Sequence, residues 1–235
     1  MGATPEPLTI ALADGSTVSG LWQRPPDARA GYVMAHGAGA GMTHPSMTAF
    51  ADELVRRGLA TLRYQFPYME RGSKRPDAPK VAHAAVRAAV TEAGRLAPDL
   101  LLYAGGRSFG GRMTSQAQAL SPLPEVRGLA FLGFPLHPAG QPSGARGEHL
   151  SDVRVPMLFL QGTRDDLAHL PLLTAVVERL GARATLALID DADHSFHVPA
   201  RTGRKDAAVR ADMADTVARW IADSVKIPSG RVNTP

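Results

Sequence analysis

The 235-residue sequence contains no cysteine. That absence excludes a disulfide framework, a thiolate metal site and a cysteine nucleophile together. No apolar run approaches the roughly 20 residues needed to cross a bilayer, and the opening stretch MGATPEPLTIALADGST is broken by proline and by Asp14-Gly15 before a signal-like core can form. Blocks of one charge are missing as well. The net charge is +4, yet the basic residues gather only loosely, in RGSKRPDAPK (71–80) and RTGRKDAAVR (201–210), with no aromatics interleaved for base stacking. These absences lead to the expectation of a soluble, cytoplasmic protein with an arginine-rich solvated surface and with neither nucleic acid nor membrane as partner. No apolar stripe beyond those needed for the core marks an oligomer contact.

What is present is an alternation of apolar runs and helical patterns. PLTIALADGSTVSGLWQRP reads as a hairpin turning at Asp14-Gly15. Buried strands are expected at 30–36, 59–66, 99–105, 127–135, 155–162 and 184–190. A helix over 46–58 ends on two arginines and a glycine. Ala82, Val86, Ala89, Ala93 and Leu96 share one face of a second helix, and FGGRMTSQAQAL is a third. Leu170, Leu173, Val177 and Leu180 mark another, and Val209, Met213, Val217 and Trp220 the last. A hairpin followed by strand–helix alternation implies a mostly parallel sheet covered on both faces. A chain of this length buries roughly 70% of its unfolded surface without staples. No internal repeat or long linker divides it, so one domain is expected over 1–235, with a core of about 8–225 and a fraying tail at 226–235.

In such a sheet, ligands and chemistry sit at the carboxyl ends of the strands, where YAGGRSFGGRM (103–113) places four glycines around Ser108. A phosphate-binding loop would need a lysine after these glycines, and a dinucleotide site would need them on the first strand–helix unit; neither condition is met. Gly106, Arg107, Ser108, Phe109 and Gly110 do supply G-x-S-x-G between a strand and a helix. A nucleophile in so tight a turn has a strained backbone and needs neighbours without Cβ atoms. On its own Ser108 could equally cap the helix. A serine nucleophile, however, requires a base, and the base an acid to orient it. These should follow in the order Ser, Asp, His, each just after a later strand. FLQGTRDD offers Asp165 and Asp166, and LIDDADHSFH offers His194. A glycine-bearing loop after an early strand, MAHGAGAGMTH (34–44), can supply a second amide for an oxyanion. His36 and His44 show no H-E-x-x-H or comparable spacing, so neither a metal nor another cofactor is expected.

The motifs HGAGAGMTHPSM, YQFPYMERGSKRPD, GGRSFGGRM, GFPLHPAGQP, QGTRDD and DADHSF, in that order over residues 8–225, resemble one family of small α/β-hydrolases. It is of the compact, cap-less, dienelactone-hydrolase-like kind, and its animal relatives include a subunit of the non-specific-lethal chromatin complex. The resemblance implies an α/β-hydrolase fold: a mostly parallel eight-stranded sheet, an amino-terminal antiparallel hairpin, helices on both faces and no cap domain. It further implies Ser108 as nucleophile, Asp165 as acid with Asp166 in reserve, and His194 as base. The amides of Ala38 and Phe109 would form the oxyanion hole. Phe66, Tyr68, Met69 and His137, after neighbouring strands, are candidates for contact with a small-molecule acyl substrate. The implied activity is cleavage of a carboxylic ester, with thioesterase and peptidase chemistry sharing the same residues. Some relatives serve as scaffolds, so a non-catalytic interaction module is the alternative.

Overall fold

The computed structural model describes residues 3–226. Eight strands form one sheet: β1 (Glu6–Ala11), β2 (Thr17–Gln23), β3 (Ala30–Ala35), β4 (Leu59–Tyr64), β5 (Leu101–Arg107), β6 (Val126–Leu132), β7 (Met157–Gly162) and β8 (Ala184–Ile189). Their spatial order is β1-β2-β4-β3-β5-β6-β7-β8. The pairs β1–β2 and β2–β4 are antiparallel and all the others parallel. Every residue of β3, β4 and β7 is buried, as continuous apolar runs require when both faces are covered.

Six helices supply the cover: α1 (Pro45–Arg56), α2 (Pro67–Glu70), α3 (Pro79–Leu96), α4 (Phe109–Leu120), α5 (Leu170–Leu180) and α6 (Asp206–Lys226). Ala82 and Val86 of α3, Met113 of α4 and Leu173 of α5 pack with Phe131 and Phe159 in one apolar layer. Met47 and Leu54 of α1 and Met213 and Val217 of α6 pack with Tyr32 and Leu158 in the other. Among the described residues no helix is long and apolar enough to cross a membrane.

Several boundaries differ from expectation by one to three residues. The hairpin does not turn on two residues: Leu12 N–H donates to Ser16 O (2.8 Å) and Gly15 N–H to Leu12 O (3.0 Å), so the turn takes in residues 12–16. The strand expected to stop at 105 continues to Arg107, because Gly106 and Arg107 still pair with Phe131 and Leu132 of β6. Ser108 therefore leaves the sheet with no loop in between. Between β6 and β7, residues Ala145–Asp152 form a 3-10 helix. Of the expected tail, α6 reaches Lys226, and the rest lies outside the described residues.

Candidate active site

The turn from β5 into α4 shows why its glycines are needed. Ser108 has φ 49° and ψ −118°, a conformation that costs a non-glycine residue about 1–3 kcal/mol. A Cβ on Gly106 would lie 2.2 Å from Ala35 O, and one on Gly110 would lie 2.5 Å from His36 O. The turn can thus lie against β3 only if both positions lack side chains. Ser108 N–H donates to Leu132 O (3.1 Å) and Ser108 O accepts from Arg112 N–H (3.1 Å). The strained residue is fixed at both ends and is half-buried.

His194 lies 86 residues farther along, with its Nε2 2.8 Å from Ser108 Oγ. Its Nδ1 is 2.7 Å from Asp165 Oδ2. A carboxylate only accepts, so Nδ1 carries the ring proton and Nε2 accepts from the serine hydroxyl. The histidine side chain keeps 24% of its surface exposed, whereas that of Asp165 keeps none. Asp193 shapes the His194 turn, its Oδ1 accepting from Ser195 N–H (2.7 Å) and His197 N–H (3.0 Å). Phe196, at φ 61°, completes the turn.

The two neighbouring aspartates differ in burial. Asp165 is 6% exposed, while Asp166 is exposed and has no hydrogen-bond partner among the described side chains. Asp165 Oδ1 accepts from Leu167 N–H (2.8 Å), and Oδ2 accepts from Gln161 Nε2 as well as from His194. Gln161, fully buried at the end of β7, also accepts from Phe134 N–H through Oε1 (2.9 Å). Sequence reasoning did not single out this glutamine. Its signal is a lone amide in the otherwise apolar strand MLFLQG.

The loop after β3 is pinned from several sides. His36 Nε2 accepts from Phe66 N–H (3.0 Å), so its Nδ1–H donates to Gly37 O (2.7 Å). Burial pushes His36 down to about 4, which keeps it neutral. Tyr68 Oη donates to Ala38 O (2.9 Å). Gln65 Oε1 accepts from Met42 N–H (2.9 Å), and the wholly buried Arg63 donates to Met42 O (3.1 Å) and Thr48 Oγ1 (2.7 Å). A Cβ on Gly37 would lie 3.7 Å from Ser108 Cβ, so this loop passes directly over the serine. The Ala38 and Phe109 amides have no backbone acceptor among the described residues.

The four residues expected at the substrate divide. Phe66 is fully buried, with its ring edge-on to Phe109 and His36. Tyr68 is 1% exposed and braces the loop. Both pack within the apolar layer on that side of the sheet. Met69 is half-buried against the same apolar layer. His137 is buried too, but forms part of the wall of an open groove of about 960 Å3 beside Asp165 and Asp166. Its Nε2 accepts from His169 N–H (2.7 Å) and its Nδ1 meets Pro138 O (2.8 Å), which fixes the groove wall. No group of three or more metal-ligating side chains comes together among the described residues.

Solved structures share this architecture. A dienelactone hydrolase from Anabaena variabilis is 20% identical, with a TM-score of 0.75 over 95% of this chain and 99% of its own. A serine hydrolase without a lid from Xanthomonas campestris is 22% identical, with a TM-score of 0.71 over 94% and 96%. A serine hydrolase homologue from Coxiella burnetii is 17% identical, with a TM-score of 0.71 over 92% and 97%. At these identities the likeness shows the α/β-hydrolase fold. Residues 28–222 match the family described as the alpha/beta hydrolase domain, and the chain belongs to that family.

Proposed function

We propose that this chain is a serine hydrolase that cleaves a carboxylic ester, or a related acyl bond, through an acyl-enzyme. The observation that carries the reading is the unbroken hydrogen-bonded chain Ser108–His194–Asp165, built on a serine at φ 49°. His194 takes the proton of Ser108 as its oxygen attacks the carbonyl carbon. The tetrahedral oxyanion is held by the amides of Ala38 and Phe109, with the amino-terminal end of α4 adding its dipole. His194 then protonates the leaving group. Water, losing its proton to the same nitrogen, attacks the acyl carbon and releases the acid and Ser108. Asp165 keeps the imidazole in the required tautomer and offsets its charge while it is protonated. The chemistry needs no cofactor.

Thioesters and amides would follow the same path with a different leaving group. The non-catalytic alternative on this fold needs none of the three side chains, nor the strain at Ser108. Their joint retention in hydrogen-bonding positions supports the enzyme. The test is labelling by a fluorophosphonate probe. Native wild-type protein is expected to be modified at Ser108, with no labelling of Ser108→Ala or of heat-denatured protein. Folded wild-type protein that stays unlabelled, and inert towards a panel of esters and thioesters, would leave the interaction module as the better reading.

A further inference from the structure

Where α3, α4 and the 3-10 helix Ala145–Asp152 meet, basic side chains gather that the reaction does not use. Ser115 and Gln116 follow Arg112 on α4 at the spacing of helical neighbours. Each holds a histidine from a different element. Ser115 Oγ donates to Arg112 O (2.9 Å) and so accepts from Nε2 of His149, on the 3-10 helix, at 2.7 Å. Gln116 Oε1 accepts from Nε2 of His83, on α3, at 3.2 Å. Arg112 therefore stands between the two imidazoles. The 3-10 helix adds a second arginine, Arg146, whose charge acts on that of Arg112.

Nothing balances these two arginines. Both are half-buried, and neither forms a side-chain hydrogen bond or ion pair among the described residues. Arg112 Nε is buried without a partner. Burial and then the charge of Arg146 hold the Arg112 guanidinium below its usual range, and no carboxylate opposes them. Asp152, the acid that reaches the cluster, acts on His149. Glu148, on the same 3-10 helix, is exposed and forms no ion pair among the described residues. Both imidazoles are pushed down, chiefly by burial and further by Arg112, as a positive potential without a counter-ion requires. A half-buried cation facing a second cation is costly, and such a conflict marks a place where function overrides stability.

We propose that Arg112 and Arg146 form a binding site for a phosphate group, free or carried as a monoester. The number of charges selects this ligand. A carboxylate would balance one guanidinium, whereas a phosphate carries about two negative charges near neutral pH and offers three acceptor oxygens. Those oxygens can engage both guanidinium forks at once. The site uses none of the side chains of the Ser108–His194–Asp165 chain and does not depend on the hydrolase reading.

The experiment is calorimetric titration of the full chain with inorganic phosphate and with glycerol 3-phosphate, which needs no turnover. One site per chain is expected, with a Kd below about 1 mM for at least one of the two. Arg146→Gln should weaken binding at least about tenfold. Arg112→Lys should keep part of the affinity that Arg112→Gln loses. Urea midpoints guard against a merely structural effect. Because the two arginines repel each other, Arg146→Gln should not lower the midpoint measured without phosphate, whereas loss of a structural arginine would. Saturating phosphate should raise the wild-type midpoint and leave that of Arg146→Gln unchanged. Tighter binding of glycerol 3-phosphate would identify a phosphate borne on a larger molecule, and tighter binding of inorganic phosphate a free ion. No binding of either probe overturns the proposal, as does binding that survives both Arg112→Gln and Arg146→Gln. Failure of Ser108 to take the fluorophosphonate label would sink the hydrolase reading and leave this test standing.

Discussion

His36 and His194 stand at similar places, each just beyond the carboxyl end of a strand and each in a loop of small and acidic or glycine residues. Their nitrogens have different partners. Both ring nitrogens of His36 meet backbone groups, Phe66 N–H and Gly37 O. Those of His194 meet two side chains, the hydroxyl of Ser108 and the carboxylate of Asp165. His36 is sealed at 0% exposure, while His194 keeps a quarter of its side chain accessible, at 24%. The first histidine is a fixed strut whose proton has nowhere to go. The second has a donor on one side and an anion on the other, so a proton can arrive at Nε2 and its charge be balanced at Nδ1. What separates a catalytic candidate from a structural residue of the same type is therefore the chemistry of its two partners.

Changes at the His194 chain should destroy turnover and spare the fold. Ser108→Ala is expected to lose on the order of 10⁶ in kcat, with a denaturation midpoint close to that of the wild type, since Ser108 Oγ bonds only His194. A variant that unfolds, or one that keeps its rate, would break the contrast with His36. Asp165→Asn should follow at about 10⁴, because an amide cannot hold the imidazole in the same tautomer. Asp166→Asn, at an exposed side chain, should stay near wild type in both rate and midpoint. Equal losses for the two aspartates would mean that the loop after β7 does not distinguish them.

Changes at His36 should do the reverse. Burial holds its pKa at about 4, whereas an unfolded chain takes up that proton near 6.5. Between these values the unfolded state binds more protons, so stability is complete above about pH 6.5 and is lost as pH falls towards 4. The share of His36 is about 3 kcal/mol. His149, also lowered to about 4 chiefly by burial, acts in the same direction. His197, raised by Asp206, acts in the opposite one. Urea midpoints taken from pH 7.5 to pH 4.5 should therefore fall, and less steeply in His36→Gln. An unchanged slope in that variant would show that the strut is not the group that titrates.

The parts of this architecture visible in the sequence are those where sterics or order leave few choices. Gly106 and Gly110 mark the elbow because any Cβ there would run into β3. The alternation of strands and helices fixes which loops share the carboxyl edge, and that brings Asp165 and His194 to Ser108. What was not visible turns on side-chain direction within a loop. Asp165 and Asp166 are chemically identical neighbours, and only the path after Gly162 points one inward. Phe66 and Tyr68 follow a strand as pocket residues do, yet both pack within the apolar layer. Arg63 and Gln161 were hidden for another reason. Each is a polar side chain inside a run that reads as apolar strand, and its partners come from loops far away in sequence.

Gln161 offers the smallest and most diagnostic effect. Its amide donates to Asp165 Oδ2 and accepts from Phe134 N–H, so it joins the acid to the start of the loop after β6. It does not touch Ser108 or any reacting atom, and it acts by positioning Asp165. Gln161→Met removes both bonds at similar volume and should lower kcat about tenfold, the equivalent of about 1.4 kcal/mol, with little change in KM. Gln161→Glu separates the two roles. A glutamate still accepts from Phe134 N–H but sets a second carboxylate against Asp165 where a donor had been. If Gln161 acts by holding the Phe134 loop, glutamate should restore the rate. If it acts on the acid, glutamate should be no better than methionine, which is the outcome expected from its direct contact with Asp165.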